Sequence, residues 1–186
     1  MKTFKSFFVA LALVGALMLP SSCKKNNASK PEEQKQQEVD TTPTQVILSF
    51  VFYHTEDMLK YFNIQLILEN GEDAAKTITV TKDLLDDQLR SKDLVAADHL
   101  PATLTVTRKI TLKQDISSAG DVQYTKGHSY QYALYNKDGD RVYLSDMILI
   151  NGLSSLDGAA LTPIIEKGGL DQSYTFKFDE KGKLVK

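Results

Sequence analysis

Three polar residues that could do chemistry follow the apolar segment 45–53: His54, Glu56 and Asp57. An imidazole beside carboxylates can bind a metal ion or act as an acid–base pair. Such a site would need a further group, and His99 and His128 are the remaining histidines. Because spacing alone does not bring these segments together, the sequence favours a solvated turn at 54–57.

A second candidate has the alternating oxygen ligands of a calcium loop: Asn136, Asp138 and Asp140. A calcium loop of the helix–loop–helix type needs a Glu at its twelfth position, where Met147 stands. Three oxygens on a tight turn also leave most of the about six to eight calcium ligands unfilled. The spacing therefore favours a hairpin turn at 136–140.

Two further groups could bind a partner. Five aspartates form an acidic stretch that Arg90 and Lys92 interrupt: Asp83, Asp86, Asp87, Asp93 and Asp98. It could hold a cation or a basic partner, but helix capping and a solvated surface explain it better.

Five tyrosines lie on or near one predicted hairpin: Tyr124, Tyr130, Tyr132, Tyr135 and Tyr143. Tyrosines give a large contact area with a polar tip, so they are the candidate binding site, although tyrosine is also ordinary strand material.

Sequence motifs of catalysis are missing. The chain has no Gly-x-Ser-x-Gly, no phosphate-binding glycine loop and no His-Glu-x-x-His. We therefore expect no enzymatic activity, no cofactor and no metal. The alternative is a small hydrolase whose site is assembled from distant residues, with His54, His99 or His128 beside a carboxylate.

The elements that must position these residues are mostly strands. From Gln45 onward, apolar residues alternate in short segments that end at turn signals such as Asn70-Gly71. The first segment is apolar on both faces, which predicts a central strand. Seven or eight such segments predict an all-β fold, an antiparallel Ig-like β-sandwich.

Four features interrupt this pattern. Asp83 could cap a short helix that carries Leu84, Leu85 and Leu89. Arg108 falls on the apolar side of a long strand, so we expect a bulge or an exit from the core there. A loop is predicted at 117–121. Residues 151–169 are expected to form a long crossover, with at most one helical turn that Pro163 opens.

The overall composition limits the class of protein. The 186 residues carry a net charge of −2, with a pI near 5.9, which argues against nucleic-acid binding. Export processing would leave one domain's worth of chain. The single cysteine, Cys23, excludes an internal disulfide.

The first residues have the features of an export signal. Lys2 and Lys5 precede an uncharged apolar run at 7–19 that is shorter than a membrane span of about 20 residues. Two serines and Cys23 follow, and this order resembles a bacterial lipoprotein signal. The resemblance implies cleavage before Cys23 and acyl chains, such as palmitate, on that residue. It therefore predicts a signal peptide at 1–22, a lipidated Cys23 with a disordered tether at 23–44, and a sandwich domain at 45–186.

The order of segments is similar to that of small Ig-like lipoproteins of anaerobic Gram-negative bacteria. The matching stretches are 62–66 before Asn70-Gly71, 99–107, and 130–135 before Asp138-Gly139. Because most members of that group have no assigned activity, the resemblance implies fold and location only.

From the anchor, the spacer and the strands we expect a lipid-anchored protein of the cell envelope. It would bind or assemble with a protein or glycan partner. Acidic residues after the cysteine usually accompany surface delivery in the resembled group, but Lys24 and Lys25 stand there, which favours the periplasmic face of the outer membrane. The alternative is a structural subunit of a fimbria-like polymer, with 183–186 as its exchangeable edge.

Overall fold

The computed structural model describes residues 40–71 and 73–185, which contain twelve strands and two α-helices. The strands are β1 (Gln45–Tyr53), β2 (Phe62–Glu69), β3 (Lys76–Thr79), β4 (Arg90–Ala97), β5 (Ala102–Leu112), β6 (Asp121–Thr125), β7 (His128–Tyr135), β8 (Arg141–Leu144), β9 (Ile148–Ile150), β10 (Leu153–Asp157), β11 (Gln172–Phe178) and β12 (Leu184–Val185). The helices are α1 (Glu56–Tyr61) and α2 (Gly158–Glu166), and a 3₁₀ turn spans Lys82–Leu84.

Every strand pairing is antiparallel, and the all-β sandwich predicted from the alternation is confirmed. The first sheet runs β4-β1-β7, and β8 and β9 both pair with the far side of β7. The second sheet runs β12-β11-β5-β2-β3, and β10 pairs with β6 in a small third sheet. The described chain therefore has twelve strands where seven or eight were expected.

The inner faces of the two large sheets form the core. Phe50 of β1 lies at its centre, with ring centroids 5.2 Å from Tyr174 and 6.0 Å from Phe176, both on β11. On the next strand of the first sheet, Tyr130 meets Phe176 edge to face at 4.8 Å. Burial of one such aromatic ring stabilises the fold by about 2 kcal/mol, so these contacts between the sheets fix how they pack.

Several predicted strands and turns are confirmed. β1 begins at Gln45, lies between β4 and β7, and is buried on its inner face and half-buried on its outer face. The turns after β2 and β7 contain Gly71 and Gly139, both with φ of +84°, a conformation that glycine adopts without strain.

The segments around 54–61 and 83–100 differ from their predictions. Instead of a solvated turn, α1 follows β1, because the Thr55 hydroxyl accepts from the Met58 N–H at 3.1 Å and caps it. The N-cap of the 3₁₀ turn is Thr81 rather than Asp83, and no longer helix forms there. Leu89 has φ of +54°, which ends any helix, and β4 then pairs with β1.

The prediction for Arg108 is wrong, because β5 continues past it without a register shift against β2, and its pairing with β11 reaches Arg108 in regular register. Arg108 is completely buried, with 0% of its surface exposed. Its side chain stays inside because the ends of other strands supply carbonyl acceptors, which no sequence pattern reveals.

The segment 151–169 is also more regular than a crossover. β10 pairs with β6, and Asp157 then caps α2 by accepting from the Ala159 N–H at 2.9 Å. Pro163 lies inside α2 without opening it. A proline withdraws only one helical donor, and burial of Leu161 and Ile165 on the core side offsets that loss. β6 itself begins at Asp121, where a loop was predicted to end.

The predicted signal peptide, Cys23 and the tether as far as residue 39 lie outside the described residues. Residues 40–44, assigned to the tether by composition, contact the sandwich: the Thr44 N–H donates to Tyr135 O at 2.8 Å. Over residues 40–71 and 73–185, no helix is long and apolar enough to cross a membrane.

Candidate functional site

The five tyrosines proposed as a binding surface do not share one environment. Tyr130 and Tyr132 point inward from β7, and Tyr132 packs edge to face on Phe178 at 5.0 Å. Tyr124 also packs against the core, and Tyr135 is half-buried at the end of β7. Tyr143 on β8 is the member that faces solvent, with 47% of its surface exposed.

Tyr143 belongs to a larger apolar surface along one edge of the first sheet. The predicted return strand 141–150 is present in two pieces, β8 and β9, separated at 145–147. Ser145 holds the break against β7, because its N–H donates to Tyr132 O at 2.9 Å and its Oγ accepts from the Tyr132 N–H at 3.0 Å. β8 and β9 therefore form one broken edge strand beside β7.

Seven large apolar side chains on β8, on β9, in the break between them and at the start of β10 are exposed, from 41% for Ile148 to 69% for Leu153. We call this surface the apolar edge: Tyr143, Leu144, Met147, Ile148, Leu149, Ile150 and Leu153. Between Arg141 and Asp157 the one charged residue is Asp146. A contiguous exposed apolar patch with an open strand edge is typical of an interaction surface, since it invites another strand to pair.

The other edges of the two large sheets carry charges that discourage pairing. β4, the opposite edge of the first sheet, turns Asp93 towards the interior opposite Phe50, and burial raises the pKa of that carboxyl. Lys76 begins β3, and β12 is two residues long, with Lys183 before it. Short edges and inward charges are recognised protections of sheet edges. The apolar edge is also made of short strands, but all three residues of β9 are apolar and exposed, which sets it apart.

A cleft of about 580 Å³ opens next to the apolar edge, between β9 and the β11–β12 hairpin. Ile148 and Ile150 form one wall, Leu184 and Val185 the other, and Tyr130 is among the aromatic residues that line it. The cleft lies where the first and second sheets both end, so it is an apolar opening on the side of the sandwich.

A polar cluster centred on Arg108 closes one end of the core. The guanidinium donates to Tyr53 O at 3.0 Å and to Thr125 O at 2.7 Å, and it also donates to Gln172 Oε1. It lies 4.9 Å from the centroid of the Phe52 ring. Burial lowers the pKa of Arg108 to about 10. The side chain ties the ends of β1 and β6 to β11, which is a structural role.

The two histidines near this cluster are held by different partners. His54 is buried, its Nε2 lies 3.1 Å from Ser91 Oγ, and its Nδ1 has no hydrogen-bond partner among the described residues. Burial, with a smaller effect of the Arg108 charge, lowers the pKa of His54 to about 3. The Nδ1 of His128 lies 3.0 Å from the Tyr174 hydroxyl, and burial lowers the pKa of this histidine too.

The carboxylates and histidines considered for metal or acid–base chemistry make separate contacts with different partners. Glu56 pairs with Lys82 at 3.3 Å, and the Asp57 carboxylate accepts from the Gln123 N–H at 2.8 Å. His99 lies beside Asp98 near the start of β5. Within the described ranges, no group of three or more His, Cys, Asp or Glu side chains could hold a metal ion. The pockets that His54 and His128 line contain no carboxylate among their lining residues.

The candidate calcium residues organise the turn after β7, which confirms the predicted hairpin. Asn136 is buried, and its Oδ1 accepts from the N–H groups of Asp138 and Asp140, at 3.0 and 2.8 Å. Its Nδ2 donates to Asp40 O at 2.7 Å, so the same side chain fastens the start of the domain. In the acidic stretch, Asp86 pairs with Arg90 at 2.7 Å.

Sequence reasoning missed the apolar edge because it assigned 141–150 only as a return strand. The signal was present in the uncharged run Met147 to Ile150, whose consecutive apolar residues do not alternate with polar ones. Comparison with known families finds no matching family model, and comparison with curated proteins finds no match.

Proposed function

We propose that this chain is a non-enzymatic, lipid-anchored protein of the cell envelope whose sandwich binds or assembles with a partner protein through the apolar edge. The observation that supports this is the apolar edge itself: seven exposed apolar side chains on or next to β8 and β9, whose outer side has no pairing strand among the described residues. A partner segment in extended form would complete the backbone hydrogen bonds and cover these side chains.

The anchor belongs to the same proposal. Acyl chains on Cys23 would hold the protein on the periplasmic face of the outer membrane, and each buried methylene would contribute about 0.8 kcal/mol. The sandwich begins at residue 40 against the turn after β7, so the segment 24–39 would separate it from the lipid surface.

A protein partner fits this edge better than a glycan. Sugar platforms use exposed aromatic faces and polar groups, whereas the apolar edge offers aliphatic side chains and one exposed tyrosine, Tyr143. An apolar strand edge instead matches the main-chain and side-chain pattern of another strand.

Site-specific photocrosslinking in intact cells tests the proposal. A photoreactive amino acid at Leu149, on the apolar edge, is expected to give a discrete protein adduct. The same amino acid at Lys109, which is exposed on β5, is the matched control and should give none. Equal labelling at both positions, or none at Leu149, would refute the proposed surface.

A second candidate is the structural subunit of a fimbria-like polymer, which the apolar cleft favours. Residues 184 and 185 form one wall of the cleft, and displacement of β12 would widen it enough for a strand from another subunit. Subunits joined in that way would resist detergent. A ladder of bands on an unheated gel supports this candidate, and a band that never exceeds two subunits opposes it.

A further inference from the structure

The side-chain directions of β9 restrict how another strand can pair with the apolar edge. Ile148 and Ile150 pair with the inward-facing Tyr130 and His128, so they point inward, and Leu149 opposite Ser129 points outward. Residues directly opposite in an antiparallel pair point to the same face. A segment that pairs well must therefore repeat the pattern inward, outward, inward with apolar residues.

The β9 strand itself satisfies this requirement. When two copies run antiparallel with Leu149 on the two-fold axis, Leu149 meets Leu149 and Ile148 meets Ile150 of the second copy. A centre at Ile148 would place Ile150 against Asp146, and a centre at Ile150 would place Ile148 against Gly152. The register centred on Leu149 is thus the symmetric one in which every residue of β9 meets an apolar residue.

The charges next to β9 agree with the same register. It brings Asp146 of one copy opposite Gly152 of the other, and the Lys126 N–H donates to Gly152 O at 3.0 Å. Gly152 has no side chain, and Lys126 is exposed about two strand spacings, roughly 10 Å, from Asp146. The Lys126 Nζ donates to Gly169 O at 2.8 Å, so the one acidic group of the edge lies on the same side as this basic group of the second copy without pairing with it directly.

We propose that the partner at the apolar edge is a second copy of this chain, joined through β9 about a two-fold axis at Leu149. The first sheets of the two copies then form one continuous sheet, and the exposed aliphatic residues cover each other. The assembly is closed, because both β9 edges are used. This inference rests on the proposed function and identifies the partner.

Disulfide trapping in the full-length chain in its own membranes tests the register. Opposed residues have Cα atoms about 4.5–5.5 Å apart, which a disulfide can join. Leu149→Cys is expected to give about tenfold more crosslinked dimer on mild oxidation than Lys109→Cys. The wild-type chain, whose one cysteine is Cys23, shows the background.

Two further variants make the test specific. Ile148→Cys and Ile150→Cys, expressed together with different tags, should form a mixed dimer, whereas either variant alone should crosslink poorly. Efficient crosslinking of Ile148→Cys alone, or no dimer from Leu149→Cys, would overturn the two-fold register. Exchanging the two charges gives a second measurement. Asp146→Lys should reduce the amount of crosslinked Leu149→Cys dimer several-fold, and adding Lys126→Glu should restore that amount.

The photocrosslinking result separates failure of this inference from failure of the proposed function. If Leu149→Cys forms no dimer but the photoreactive group at Leu149 labels a different protein, the second-copy inference is wrong and the binding function stands. If neither experiment gives an adduct at Leu149, both are wrong.

Discussion

Acid should destabilise this protein chiefly through His54, a prediction that follows mainly from the burial of its imidazole. The buried imidazole lies against Ser91 and near Arg108, and its pKa in the folded chain is about 3, whereas an unfolded chain has a value near 6.5. Because the folded pKa is lowered, the unfolded state takes up the proton first as the pH falls below about 6.5. Stability is therefore lost on acidification, down to the folded pKa.

The size of the effect follows from the two pKa values. Between pH 7 and pH 5 the His54 contribution should lower the free energy of unfolding by about 2 kcal/mol. His54→Gln keeps a polar group near Ser91 but cannot take up a proton, so this part of the pH dependence should disappear. Burial also lowers the pKa of His128, which leaves a residual slope of the same sign in both proteins.

The assay is urea unfolding at several pH values between 5 and 7.5, on a chain that begins at Lys24 and so contains the whole core. His99→Gln is the matched control, since it makes the same substitution at a partly exposed histidine near β5. If the wild-type protein and His54→Gln lose stability in parallel over this range, His54 is not a buried neutral group and the reasoning about the cluster fails.

Three other predictions concern single positions. Arg108→Ala should cost about 3 kcal/mol of unfolding free energy, since it leaves the carbonyls of two strand ends unpaired, whereas Lys109→Ala on the exposed face should change it by less than about 0.5 kcal/mol. Gly158→Ala should cost about 3 kcal/mol because a Cβ would lie 1.9 Å from Ile116 O, whereas Gly120→Ala, with no atom within 4 Å, should be neutral in the same melts. Cys23→Ser should move the protein from the membrane to the soluble fraction, and unchanged fractionation would refute the anchor.

Much of the fold could be predicted from local patterns. β2 and β11 were predictable because their inward residues alternate, as with Phe176 and Phe178, and β1 because it is apolar on both faces. The turns at 70–71 and 136–140 carried the residues that such turns require. Patterns of this kind extend over a few residues, so they can be recognised in the sequence without knowing which strand pairs with which.

The rest depends on contacts between distant segments. Arg108 is acceptable in the core only because Thr125 O and Tyr53 O lie within its reach, some 17 and 55 positions away. The strand β4 forms because β1 offers it an edge, whereas the sequence of this region indicated only a short helix capped by Asp83. The binding surface was predicted on the tyrosines. Tyr130 and Tyr132 instead point inward, because they lie four and two residues before the buried Leu134 on the same face of β7.

The most direct measurement is hydrogen exchange at the apolar edge, compared between the protein in its native membranes and the purified chain at high dilution. If another strand pairs with β9, amides at 148–150 exchange slowly in the membranes and quickly after dilution, whereas amides of the charged edge β4 behave alike in both. Fast exchange at 148–150 in both preparations would contradict the account.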